Sequence, residues 1–175
     1  KAQSMWKSND GIFGLNRYAG RYLLEKVIEF VKSNNDVEVN LIGHSAGSIA
    51  VCNLLNITAE IYPELIYKNV IFMAPACRAD LFEKEIVNNS GRFKKFRMFT
   101  MENNFEIKDI LVPYFYSHSL LYLISGILEN QGKDYDSYIL GLERHINNVS
   151  PYDLEPTLIN IHKFLYAPDF NRVVF

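Results

Sequence analysis

Along residues 15–31 apolar side chains return every three to four positions. Leu15, Tyr18, Ala19, Tyr22, Leu23, Val27, Phe30 and Val31 share one side, and Arg17, Arg21, Lys26 and Lys32 fall elsewhere. That spacing predicts an amphipathic helix, closed by the turn residues of 33–36. Residues 37–42 form a short β-branched run and predict a strand. Over 46–57 apolar residues occupy most sides (Ile49, Ala50, Val51, Leu54, Leu55), which predicts a helix buried on more than one face. Residues 70–74 are an uninterrupted apolar run, the mark of a strand covered on both faces, and Pro75 stops it. A helix over 79–87, with Phe82 and Ile86 four apart, and a third strand over 96–101 complete the pattern.

The strand runs lie roughly 20 to 30 residues apart with a helix in each gap, the length of a βαβ crossover. The order implies an α/β fold with a mostly parallel sheet and helices on both faces. Beyond Met101 the pattern thins. Helices are expected at 120–129, 138–146 and 158–166, and a strand at 172–175. Residues 1–175 read as a single domain, with 102–150 as a helical, aromatic cap or insertion within it.

Composition narrows the function classes. The chain has 175 residues, 49% apolar and 22% charged, which excludes a disordered or fibrous protein. A net charge of −2 gives no electrostatic footprint for nucleic acid. Two cysteines make no disulfide framework, and no Cys/His spacing matches a zinc site. Residues 1–10 are mostly polar and do not resemble a signal peptide, so a cytoplasmic location is expected. Residues 110–128 carry no Asp, Glu, Lys or Arg and match a bilayer crossing in length. Pro113, His118, three serines and three tyrosines within them favour a buried or cap segment over a membrane contact.

The candidate chemistry lies at Gly43-His44-Ser45-Ala46-Gly47, a G-x-S-x-G pattern with a predicted strand running in and a buried helix running out. A strand–turn–helix of this kind strains the backbone at the serine and lifts its hydroxyl above the sheet. Side chains two positions to either side would collide with the neighbouring helix and strand, hence the glycines. The N–H of Ala46 then points at a developing oxyanion, aided by the helix N-terminus.

The stretch VEVNLIGHSAGSIAVCNLL resembles the nucleophile elbow of the α/β-hydrolase superfamily, in a G-H-S-A-G form similar to its esterase and lipase branches. The likeness continues through NVIFMAPACRADLF, the next strand and its following turn. It implies hydrolysis of a small-molecule carboxylic ester or related acyl bond through an acyl-enzyme on Ser45, without metal or cofactor. Two features depart from the superfamily. No HGGG-type or HG dipeptide precedes the elbow to supply a second oxyanion donor. The superfamily order Ser, acid, His, with the base after the last strand, places the base beyond Phe175 if 172–175 is that strand. The chain thus resembles the middle of such a hydrolase. The same order puts the acid after the third strand, at Glu102, with Glu106 and Asp109 as alternatives. Asn103 occupies a spot where an aspartate would have served. His145 and His162 are the in-chain candidates for the base, both on predicted helices, whereas His44 and His118 read as packing or pocket residues.

Cys52 reads as a small buried hydrophobe and Cys77 as an unreactive thiol near the pocket. The basic run Arg92, Lys94, Lys95 and Arg97 reads as a solvated edge. Residues 114–123 suit an acyl pocket or plain core packing. The competing readings are a serine hydrolase, a non-catalytic α/β-hydrolase-like scaffold that binds a ligand or partner, and a peripheral membrane protein using 110–128.

Overall fold

The structure is a computed structural model. It describes residues 4–6, 18–34, 36–112, 114, 116–129, 137–168 and 170–175. The expected start of the first helix at Leu15, residues 1–3 and 7–10 of the polar N-terminal segment, and Pro113 of the apolar stretch lie outside them.

Four parallel strands form the sheet in the order β1 (Asn40–His44), β2 (Tyr67–Met73), β3 (Phe93–Phe99), β6 (Val173–Val174). The register sets His44 beside Met73 and Met73 beside Phe99, so the carboxyl ends of the three main strands are level. A small antiparallel pair, β4 (Tyr166–Ala167) and β5 (Phe170–Asn171), precedes β6. The α/β class and the mostly parallel sheet are those the sequence implied.

The helices follow from where apolar side chains find cover. α1 (Ala19–Ser33) turns Leu24 and Ile28 inward with Trp6, onto Leu54, Ile57 and Ile61 of α2 (Gly47–Ile61). The other side of α2 buries Val51, Cys52 and Leu55 against the sheet. Thr58, fully buried on α2, bonds Leu54 O and the Tyr67 hydroxyl at 2.9 Å, so neither polar group is left unmet. α3 (Ala79–Phe82) runs into a π turn over Glu83–Val87 and spans the expected helix. α7 (Pro156–Leu165) begins with a proline in its first turn, where a missing N–H costs nothing. Its Thr157 and Asn160 side chains donate to Glu83 at 2.7 Å, tying the two helices together. Between these helices and the sheet Phe72, Phe82, Phe96 and Phe164 stack with centroids 5.4–6.1 Å apart, within the favourable aromatic range.

Among the described residues the helices packed on the sheet cover one face, where the sequence implied two. Val70, Phe72, Phe96, Met98 and Val173 are buried there with α2, α3 and α7. The alternate residues Ile42, Met73, Phe99 and Val174 point the other way and are exposed, Ile42 by 65%. An apolar run records that both faces favour burial; it does not name what buries them.

Beyond β3 lie α4 (Asn103–Lys108), α5 (Leu120–Leu123) with a π turn over Ile124–Leu128, and α6 (Glu143–Ile146). The helix expected over 138–146 is helical only in α6. Residues 138–142 instead form a strap that turns at 140–141 between two bridges, Arg78 to Ile139 and Met101 to Leu142. Among the described residues no helix is long and apolar enough to cross a membrane.

Candidate active site

Ser45 sits in the turn between β1 and α2, at the carboxyl edge of the parallel sheet. Its φ is +50°, in the left-handed region that a side chain occupies only at a cost of about 1–3 kcal/mol. The surrounding backbone holds it there. Ser45 N–H donates to Met73 O at 2.9 Å, and Ser45 O accepts from Ser48 N (3.1 Å), Ser48 Oγ (2.7 Å) and Ala76 N (3.1 Å). Ser48 is itself fully buried, and its Oγ also accepts the Cys77 N–H at 3.1 Å. One hydroxyl thus joins the elbow to the loop after β2.

The two elbow glycines differ. A Cβ on Gly43 would meet Gly47 C and Ser48 N at 2.9 Å, so the first turn of α2 rests directly on β1. A Cβ on Gly47 would meet nothing within 4 Å. The expected collision therefore holds at Gly43 and fails at Gly47, because Gly47 faces open space rather than a strand. Ala46 precedes α2 in helical conformation, and among the described residues no protein acceptor takes its N–H. Ser45 is half-buried, and the hydrogen bonds it makes among the described residues use its backbone N–H and C=O rather than its hydroxyl. The Ala46 N–H and the Ser45 hydroxyl are thus adjacent in the turn.

The strap of 138–142 builds the far side of this edge. Gly141 N donates to Pro75 O at 2.9 Å, Gly141 O accepts the Thr100 hydroxyl, and a Cβ at Gly141 would meet Pro75 O at 2.5 Å. Leu121 of α5, with Ile139 and Leu142, packs on Ala76, whose N–H holds Ser45. Part of the aromatic segment 114–123 thereby lies close to the Ser45 turn.

The acid candidates separate clearly. Glu102 is exposed in extended conformation before α4, and its side chain makes no cap bond. Asp109 is exposed just past α4. Glu106 is buried, its Oε2 without a hydrogen bond among the described residues. Burial pushes its carboxyl up, Ser119 beside it pulls it down, and Asp109 pushes it up further. A carboxyl raised on folding stabilises fully below the ordinary glutamate value of about 4.3, and that stability is lost as pH rises through the folded value. Glu106→Gln removes this penalty. The variant is expected to match the parent in urea midpoint near pH 3.5 and to exceed it at pH 8; equal midpoints at both would refute this account.

Asn103 holds the position after β3 that faces the strap. Its N–H donates to Glu143 Oε2, and its Oδ1 accepts the Tyr122 hydroxyl at 2.6 Å. Glu143 Oε1 accepts Asn147 Nδ2 at 2.7 Å, and Asn147 Oδ1 accepts the Tyr166 hydroxyl at 2.8 Å. Burial, with Glu143 second, pushes the Tyr166 phenol up to about 12. The sequence reading missed Glu143, which lies 40 residues from Asn103 and touches it through a strap it took for helix.

Three of the four histidines, His118, His145 and His162, are engaged by other backbone or ring partners. His145 is buried, Nδ1 3.0 Å from the Ile139 backbone and its ring against Tyr138 and Tyr152. His162 Nδ1 lies 2.7 Å from Ile146 O, and its ring stacks on Tyr166 at 4.5 Å. His118 Nδ1 is 3.2 Å from Ile107 O, and His44 is exposed on the uncovered side of β1. Cys52 and Cys77 are buried free thiols; their mutual hydrogen bond, then burial, holds the Cys52 thiol well above its ordinary value. A thiol so held is a poor nucleophile. Among the described residues no group of three or more His, Cys, Asp or Glu is placed to hold a metal ion.

The model of a family described as an alpha/beta hydrolase of unknown function (DUF900) matches residues 15–105, more than half of the chain. No curated protein and no solved structure matches it.

Proposed function

The chain belongs to the DUF900 family of alpha/beta hydrolases, and on that premise we propose that it is a serine hydrolase acting on a carboxylic ester or related acyl bond. The observation that carries this reading is Ser45, held at φ +50° by four backbone-directed hydrogen bonds beside the unengaged N–H of Ala46. Strain of that kind persists only where surrounding structure enforces it, and it clusters at sites that use it.

In the proposed reaction Ser45 Oγ bonds to the acyl carbon while its proton passes to a base. The Ala46 N–H stabilises the oxyanion. The C–O bond to the alcohol then breaks, and the base returns the proton to the leaving oxygen. Water releases the acyl group by the same steps. The base is proposed to be a histidine following β6, outside residues 1–175. Val174 pairs with Phe99, so chain leaving β6 emerges at the edge that carries Ser45. The substrate is a small molecule rather than nucleic acid, the segment 102–150 serves as its cap, and the two unbridged cysteines suit a cytoplasmic location.

The engaged histidines and the asparagine at position 103 favour a second reading, a non-catalytic scaffold that binds a ligand or partner. A fluorophosphonate probe and a panel of short p-nitrophenyl esters separate the two. Full-length protein is expected to label at Ser45 and to cleave at least one ester. Neither labelling nor turnover across the panel would favour the scaffold.

A further inference from the structure

The position after β3 is where the orienting carboxylate of the proposed site is needed, yet the chain places Asn103 there and turns Glu102 to solvent. The level strand ends put Ser45 and Thr100 in equivalent positions two strands apart, a span of roughly 10 Å. An imidazole hydrogen-bonded on both sides covers roughly 8 Å of such a gap. A carboxylate at the carboxyl end of β3 is therefore about one bridging imidazole from the Ser45 turn.

Glu143 is delivered to that place from afar. The strap of 138–142 is fastened to the strand ends at Pro75, Thr100 and Met101, and the residue after it contacts Asn103. We infer that Glu143, not Glu102, is the positioning carboxylate of the site, acting through the base beside Asn103. This rests on the hydrolase reading above.

Two features distinguish this from plain helix capping. A local Ser, Thr, Asp or Asn before α4 would cap it at no cost in chain closure, whereas here the carboxylate comes across 40 residues. Its two oxygens are also fixed by different partners, Asn103 N–H and Asn147 Nδ2, which sets the direction of the carboxylate as well as its position. The charged and titratable groups around it are Arg144, whose guanidinium lies 4.3 Å from the Tyr122 ring centre, and Tyr166 with His162 stacked upon it. Each carboxylate oxygen keeps a further lone pair for an imidazole N–H.

The test uses full-length protein and ester turnover that depends on Ser45. Glu143→Gln is expected to lower kcat about 100-fold or more with little change in KM, as when the orienting acid of a serine triad is made an amide. Glu102→Gln is expected to leave kcat within about twofold. Adding Asn103→Asp to Glu143→Gln is expected to restore roughly 10-fold or more of the lost rate, since it returns a carboxylate to the residue whose N–H Glu143 accepts. A purely structural role predicts no such rescue, and a fall in melting temperature that tracks the fall in kcat without rescue would overturn the assignment. Unchanged kcat in Glu143→Gln, or a larger loss in Glu102→Gln, would overturn it too. Wild-type turnover that survives Ser45→Ala would instead remove the hydrolase reading itself.

Discussion

Ser45→Ala in the full-length protein is expected to abolish fluorophosphonate labelling and to lower ester turnover by about three decades or more. Removing the hydroxyl removes the covalent path, and three decades correspond to about 4 kcal/mol of activation free energy. The oxyanion donor at Ala46 and the pocket would remain, so a residual rate above that of water is expected. The fold should be almost untouched. Alanine carries the same Cβ at φ +50°, and the bonds that hold the turn are made by the backbone and by Ser48, not by the Ser45 hydroxyl. A melting temperature within about 2 °C of the parent is therefore the companion result. Loss of turnover with a large drop in melting temperature would mean that Ser45 is a structural residue.

The second large effect concerns the glycines on either side. Gly43→Ala places a methyl 2.9 Å from Gly47 C and Ser48 N, both backbone atoms that no side-chain rotation relieves. The first turn of α2 must lift off β1, and Ser45 and Ala46 move with it. Overpacking at such a contact costs about 2–3 kcal/mol, and the displaced turn should lose labelling even in molecules that stay folded. Gly47→Ala meets open space and is expected to change stability by less than about 1 kcal/mol, with alanine the better helix former. Chemical denaturation of the two variants side by side reads this out. Equal destabilisation would show that the elbow is not packed as described.

Read from sequence alone, the elbow was clear because everything it needs is local. The β-branched run, Gly43, Ser45 and the apolar helix of 46–57 each constrain the next, within one continuous stretch. The burial of α2 on more than one side was equally legible, since apolar residues occupy most of its sides. Glu143 was not legible. Residues 138–142 have the apolar content of a helix, and only their bridges to Arg78 and Met101 make them a strap. Contacts between residues 40 apart leave no trace in local spacing, so the acid was sought at the nearest carboxylates downstream of β3. Gly47 was misjudged for a related reason. The motif supplies two glycines, but whether each is crowded depends on what lies against it.

The way β6 is attached sets the order in which the sheet comes together. β1, β2 and β3 follow one another along the chain and share long registers, whereas β6 joins β3 only through Met98–Val173 and Phe99–Val174, after a detour of more than 70 residues. Closing so long a loop is entropically costly, and two residue pairs return little for it. Amide protons of Val173 and Val174 should therefore exchange with solvent sooner than those of Val70 or Phe72. On the ribosome the Ser45 turn would be complete well before β6 docks. Catalytic competence, if its base follows β6, would then wait on that docking, and would be lost whenever β6 breathes away from β3.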